Sequence, residues 1–321
     1  MIKTRITELL GIRFPLVGGT MMSISTAAFV AAVAEAGGLG ILDSTTYTSK
    51  DAFSAAIDHI RNATGNPFAV NINLSPAITT MDKNIYIDVM AEKGVPVVET
   101  SGRLPSGEMR DRFKEAGLTW IHKCAGVRYA RKAADAGADI ITVVGYENGG
   151  STGGGDIGTL VLIPAVVDAV DVPVIGGGGV SDGRGVMALL ALGAEGVIMG
   201  TRMLATKECP IHDNLKQALL SASELDTMLI LKSIGMSFRV WANAAAKKCD
   251  VMAQDTSLFE ETFSMVAGDT ARQMYASGDI DKGVLYCGQG VGLIHDIPTV
   301  ETLFQRIMTE ADQAKTAINA G

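Results

Sequence analysis

The sequence predicts an α/β fold: a (β/α)8 TIM barrel with a helical insertion between strand eight and the last helix. Three observations carry this prediction. Eight short apolar runs recur through the first two hundred residues, Ala-rich helical patterns separate them, and glycine gathers in the loops after the last three runs. The 321-residue length suits one barrel of roughly 250 residues plus an insertion.

In chain order the runs are FPLVG (14–18), LGILD (39–43), FAVNI (68–72), VPVVE (95–99), LTWIH (118–122), IITVV (140–144), VPVIG (172–176) and GVIMG (196–200). They are continuously apolar instead of alternating, as expected for parallel strands buried on both faces. Helical patterns fill 25–36, 49–62, 81–93, 106–116, 126–136, 159–169 and 182–192, and each crossover is expected to be right-handed. A last helix is still needed, and 297–318 supplies it. There Val300, Leu303, Phe304, Ile307, Met308, Ala311 and Ala314 share one face. Residues 203–290 are rich in methionine, poor in glycine and show no clear strand, so they read as a mainly helical lid. The domain reading is therefore a barrel from 1–202 and 291–321 with a lid from 203–290. A doubly wound open sheet with a separate helical domain competes, and the count of eight strands favours the barrel.

Composition narrows the function classes. Charged residues are 19% and hydrophobic ones 47%, which excludes a disordered chain. Net charge is −8, with no basic stripe interleaved with aromatics, so no nucleic-acid partner is expected. No apolar run reaches the ~18 residues of a membrane span, and MIKTRITELLGIRF lacks the apolar core of a signal peptide. Cys124, Cys209, Cys249 and Cys287 are scattered without a C-x-x-C, so neither a metal site nor a disulfide framework is expected and the cytoplasm is the default compartment. A homodimer is the default assembly.

Residues 145–200 hold 16 of the 37 glycines. Barrel active sites lie on the loops that follow the strands. Here those loops read GYENGGSTGGGD, GGGGVSDG and GTRM. Four consecutive glycines, Gly176 to Gly179, precede a helix, and Gly200-Thr201 follows the last run. Glycine lets backbone N–H groups approach an anion, and a helix N-terminus adds a favourable field. A phosphate is expected there, of a substrate or of flavin mononucleotide.

The chain resembles the nitronate monooxygenase (2-nitropropane dioxygenase) family of FMN-dependent barrels, which includes flavin-dependent enoyl-thioester reductases and NAD(P)H:quinone reductases. The resemblance runs nearly end to end. It rests on GIRFPLVGGTMM (11–22), EAGGLGIL (35–42), FAVNINL (68–74), VPVVETSG (95–102), IHKC (121–124), AGADIITVVGYENGG (136–150), DIGTLVLIPAVVDAVDVPVIGGGGVSDGRGV (156–186) and ALGAEGVIMGTRML (191–204). It implies FMN and redox chemistry at the flavin. By that resemblance Gly19, Thr20 and Met21 lie against the isoalloxazine ring. Asn71 meets a pyrimidine edge or a ribityl hydroxyl. Lys123 stabilises the anionic reduced flavin near N1–C2=O. Gly177, Gly178, Gly179, Gly200 and Thr201 hold the phosphate, Gly150 belongs to the loop over the cofactor, and Gln289 returns to the mouth of the site.

One departure leaves the reaction open between oxidation of preformed nitronates, which need no base, and hydride transfer at the flavin with a different substrate. The family pattern after the sixth strand is Gly-Gly-His-x-Gly or Ala-Gly-His-x-Gly, and its histidine is the catalytic base of nitronate monooxygenases. This chain reads Gly149-Gly150-Ser151-Thr152-Gly153. Ser151 has no useful basicity near neutral pH. His122 is the nearest histidine and Glu147 the nearest carboxylate, so both are candidate substitutes; Glu147 reads equally as a loop cap. In the lid, Arg239 and the Lys247-Lys248 pair could meet acidic phosphates of an acyl carrier, or form an ordinary solvated face. Cys287 reads as a buried thiol without a histidine partner.

The favoured expectation is an FMN oxidoreductase transferring hydride to or from an activated acyl or carbonyl substrate, a CoA thioester among the candidates, with NAD(P)H as redox partner. The alternatives are a nitronate monooxygenase using O2, an NAD(P)H:quinone reductase, and a flavin-free phosphate-binding isomerase.

Overall fold

A computed structural model describes residues 2–76, 81–153 and 155–320, so Gly154 of the glycine-rich loop lies outside the described residues. A short helix α1 (Arg5–Leu10) precedes the barrel. The chain then runs β1 (Leu16–Gly18), α2 (Ala27–Glu35), β2 (Leu39–Asp43), α3 (Lys50–Ala63), β3 (Phe68–Asn73), α4 (Lys83–Glu92), β4 (Val97–Ser101), α5 (Gly107–Glu115), β5 (Thr119–Cys124), α6 (Val127–Asp135) and β6 (Ile140–Val144). A two-residue strand β7 (Gly150–Ser151) interrupts the next loop before α7 (Thr159–Val167), β8 (Val174–Gly177), α8 (Gly183–Ala191) and β9 (Gly196–Met199).

Strands β1 to β6, β8 and β9 close into one parallel barrel. Closure is made by β1 on β9, where Leu16 pairs with Val197 and Gly18 with Met199. The eight apolar runs are thus the eight barrel strands. Val17, Leu39, Ile41, Ala69, Val97, Ile121, Ile140, Ile175 and Ile198 fill the interior. Ile6 and Leu10 of α1 join that cluster, which places α1 at the N-terminal end of the strands. Thr4 fixes it there, donating to the Glu195 carbonyl at 2.6 Å just before β9. The other sheet face packs on the helices through residues such as Phe29, Phe53, Tyr86, Phe113, Trp120 and Phe304.

After β9 come α9 (Thr201–Leu204), α10 (Asp213–Leu220), β10 (Thr227–Ile230), β11 (Phe238–Trp241), α11 (Ala244–Met252), α12 (Phe259–Ala267) and α13 (Asp269–Ser277). The lid segment thus carries two strands that its composition does not announce. They pair with each other and β11 pairs with β7, Phe238 opposite Ser151 and Arg239 opposite Gly150. The lid and the barrel loop over the site are one antiparallel sheet. Last, α14 (Val300–Asn319) packs against α8 and α2 with Val300, Leu303, Phe304, Ile307, Met308 and Ala311 buried. Among the described residues no helix is long and apolar enough to cross a membrane.

Candidate active site

Residues two apart on a strand share a face. The interior residues of the barrel therefore set which residues ring its C-terminal mouth. Two positions beyond Val17, Ile41, Ala69, Val97, Ile121, Ile175 and Ile198 stand Gly19, Asp43, Asn71, Glu99, Lys123, Gly177 and Gly200. A cavity of about 380 Å³ opens above this ring. Thr20, Met21, Asn71, Glu99, Lys123, Gly150 and Ser151 line it, and Met236, Phe238, Phe263, Tyr275 and Tyr286 of the lid supply apolar walls. A second cavity of about 80 Å³ adjoins it, sharing Thr20, Met21, Lys123, Gly200 and Thr201 and reaching Gly19, Gly178, Gly179, Val180, Ser181 and Gly290.

The smaller cavity has the chemistry of an anion site. Lys123 is the one charged residue among its described lining. The N–H groups of Gly178, Gly179, Val180 and Gly200 make no hydrogen bond to the described protein. Gly178 and Gly179 hold φ of +107° and +73°, which L side chains rarely adopt. A Cβ on Gly178 would meet Thr159 Oγ1 at 2.5 Å, whereas one on Gly200 would meet nothing within 4 Å. At Gly200 that open space is the cavity itself. The helix contribution differs from expectation. The first-turn amides of α8 are already taken: Asp182 accepts from Arg184 and Gly185, and Glu310 accepts from Gly183 at 2.8 Å. The loop amides are what remains for an anion. Thr201 Oγ1 accepts from Gly288 N at 2.8 Å, which ties the 288–290 segment to the same corner.

Glu99 forms the floor of the larger cavity and is fully buried. Its Oε2 accepts from Thr20 Oγ1 at 2.8 Å and from Asn71 Nδ2 at 2.6 Å, while Oε1 has no partner. The Asn71 amide is therefore turned onto Glu99 and Ser101 Oγ, at 3.3 Å, instead of facing the cavity alone. Asn148 borders both cavities. Its Nδ2 donates to the Gly149 and Ser151 carbonyls, and its buried Oδ1 has no partner. Sequence reading passes over both Glu99 and Asn148. The signal for Glu99 is a carboxylate ending an otherwise apolar strand.

Ser151 is exposed at the roof. Its strand β7 is fixed by β11, and Thr152 N donates to the Ser237 carbonyl at 3.1 Å. Burial pushes the phenols of Tyr275 and Tyr286 upward, so both stay protonated.

Four candidate residues fall outside the cavities. His122 lies on the opposite strand face from Lys123. It is 3% exposed, packs edge-on against Trp120 and shares a 2.8 Å hydrogen bond with Thr100 Oγ1. Burial pushes its pKa down to about 4, so it is a neutral core histidine with no path to substrate. Glu147 caps α7, accepting from Thr159 N at 2.9 Å and Oγ1 at 2.7 Å, which is the loop-cap reading. Gly177 belongs to the barrel wall, where a Cβ would meet Ile198 Cγ2 at 2.6 Å. Gln289 contributes its backbone N–H to the Glu147 carbonyl, and its neighbour Gly290 lines the smaller cavity in its place.

Four lid residues also settle. Arg239 is buried, donates to the Tyr146 carbonyl and Thr227 Oγ1, and stacks 4.6 Å over the Tyr146 ring, so it is not free for a phosphate. Lys247 and Lys248 are exposed on α11. The Cys287 thiol is fully buried, and burial pushes it up to about 12, far from a reactive thiolate. Among the described residues no group of three or more His, Cys, Asp and Glu is placed to hold a metal ion.

A family model described as nitronate monooxygenase matches residues 3–310. A Rhodococcus jostii protein named (3aS,4S,5R,7aS)-5-hydroxy-7a-methyl-1-oxo-octahydro-1H-indene-4-carboxyl-CoA dehydrogenase is 33% identical, over 99% of this chain and 98% of its own length. A probable nitronate monooxygenase of Staphylococcus aureus is 31% identical, over 71% of this chain and 75% of its own. Among solved structures, FabK from Thermotoga maritima superposes with a TM-score of 0.90 at 34% identity, covering 100% of this chain and 99% of that one.

Proposed function

The chain belongs to the nitronate monooxygenase family, and from that premise we propose that it is an FMN-dependent oxidoreductase exchanging hydride with an activated acyl or carbonyl compound, a CoA thioester, with NAD(P)H as redox partner. The observation that carries this reading is the absence of any histidine among the described residues lining the cavity, with Ser151 standing where the family pattern has its base. A nitroalkane must lose a carbon-bound proton, and no lining residue offers an imidazole for that. Hydride exchange with a thioester needs hydrogen-bond donors to its carbonyl, which Ser151 supplies. The relatives similar over nearly the whole chain include one named as a carboxyl-CoA dehydrogenase.

The residues fit the cofactor. Four free loop amides and Thr201 suit a phosphate monoester, and two buried acceptors without partners, Glu99 Oε1 and Asn148 Oδ1, border the space where the rest of it would lie. Bound there, the flavin supplies the hydride acceptor and donor. The amides of Gly178, Gly179, Val180 and Gly200 would anchor its phosphate at the β8–β9 side of the mouth. Lys123, which lines both cavities, would place an ammonium where they adjoin and offset negative charge there. Met236, Phe238 and Tyr286, which line the larger cavity, would shield a flavin held there from water. The Ser151 hydroxyl, held by the β7–β11 pairing, donates to the substrate carbonyl.

Turnover measured with and without oxygen tests the assignment. NAD(P)H oxidation that depends on an enoyl-CoA, or NAD(P)+ reduction that depends on a saturated acyl-CoA, supports it. Oxygen uptake driven by nitronate, with no acyl-CoA response, would make the protein a nitronate monooxygenase. A quinone response alone would make it a quinone reductase.

A further inference from the structure

We infer that Glu99 binds the pyrimidine edge of the flavin, its Oε1 accepting the ring N3–H, and so sets both flavin recognition and the ease of flavin reduction. This inference rests on the flavin reading above.

The two oxygens of Glu99 are unequally satisfied. Glu99 is fully buried, and two neutral donors, Thr20 and Asn71, both serve Oε2. Oε1 has no partner, although the residue borders the cavity. A buried carboxylate oxygen is expected to find a donor. The ligand that fills the cavity must bring one.

Position identifies which part of the ligand that is. The anion corner lies by β8 and β9, at Gly178, Gly179 and Gly200. Glu99 lies across the mouth, on β4, at the level of the strand ends rather than under the lid. A flavin anchored by its phosphate at the first point would have the far edge of its ring system toward the second. Substrate, which approaches from the lid side, meets Ser151 and the aromatic wall first. The pyrimidine edge offers one N–H flanked by two carbonyls. Glu99 is an acceptor, and Lys123, on the adjacent strand β5, is a donor for a neighbouring carbonyl. Thr20 and Asn71 act by positioning the carboxylate. A negative charge on this edge opposes the arrival of electrons in the ring, so Glu99 works against Lys123 and holds the flavin as a stronger reductant.

The test is made on apoprotein reconstituted with FMN or with N3-methyl-FMN. The wild type should bind N3-methyl-FMN at least tenfold more weakly than FMN. In Glu99→Ala the preference should fall to about twofold or less, because both acceptor and obstruction are gone. Glu99→Gln keeps the volume and removes the charge, and its bound FMN should be reduced at a more positive potential. Equal binding of the two flavins by the wild type, or a preference for FMN that persists in Glu99→Ala, would overturn the inference. An unchanged potential in Glu99→Gln would do the same. Failure of the wild type to bind FMN at all would instead overturn the flavin reading and this inference with it.

Discussion

Gly200→Ala separates the fold from the ligand. Gly200 has φ −108° and ψ −68°, a conformation open to alanine. A Cβ there meets nothing within 4 Å, and Gly200 lines both cavities, so the new methyl occupies ligand space without pressing on protein. Loss of a tolerable N-cap glycine costs a few tenths to about 1 kcal/mol, and reduced unfolded-state freedom returns about 0.4–1 kcal/mol. Stability should therefore change by less than about 1 kcal/mol. The ligand pays more: a charged hydrogen bond from the Gly200 amide is worth about 1.5–3 kcal/mol, and displacing the phosphate forfeits it. That corresponds to roughly a 10- to 150-fold rise in Kd. Fluorescence quenching of FMN, with urea denaturation of the apoprotein as control, measures both. An unchanged Kd would refute the assignment of this corner to phosphate. A large loss of stability would refute the claim that the methyl enters empty space. Gly178→Ala is the contrasting case, since positive φ and a 2.5 Å approach to Thr159 Oγ1 should damage the fold as well.

Other predictions follow from single observations. Ser151→His should confer or raise nitroalkane-dependent flavin reduction by about 10²-fold, the low end for general base catalysis; no gain in an anaerobic assay would mean that the cavity itself excludes nitroalkanes. The folded chain holds His122 near 4 against 6.5 when free, so between those values the unfolded chain binds the extra proton and stability falls as pH falls. Across that window His122 should account for about 3 kcal/mol of lost stability, and His122→Gln should flatten the dependence in urea melts at pH 7, 5 and 4; an unchanged slope would contradict it. Arg202 is 1% exposed and donates to Asp296 Oδ1 at 3.0 Å. Asp296→Ala should destabilise by about 2 kcal/mol in chemical denaturation, below the fully buried range because Asp296 is half-exposed.

The barrel was legible because strands buried on both faces are written as unbroken apolar runs. The same property hid the orientation of their ends. Trp120 and Ile121 are both apolar, so nothing in LTWIHKC says that Ile121 and Lys123 face inward while Trp120 and His122 face the helices. The correct choice between two adjacent candidates required the closed sheet. Glu99 was concealed similarly: a terminal carboxylate reads as the wet end of a strand until Thr20, from the loop after β1, and Asn71, on β3, are seen to converge on it. The lid strands were missed because TMLI and FRVW are short and gain stability from distant pairing, with β7 as one partner. The glycine cradle was legible as composition, but the capping of α8 by Asp182, which occupies the first-turn amides of Arg184 and Gly185, depends on side-chain geometry.

The central claim is that the flavin of this protein exchanges hydride with a thioester and not through a histidine base. Anaerobic stopped-flow mixing tests it most directly, with the visible band of the oxidised holoprotein followed after addition of NADH, NADPH, an acyl-CoA or a nitronate. The account predicts rapid bleaching by a reduced nicotinamide and recovery of the band on adding an enoyl-CoA, or bleaching by a saturated acyl-CoA in the reverse direction. Bleaching by nitronate, with nicotinamides and acyl-CoA compounds inert, would contradict it.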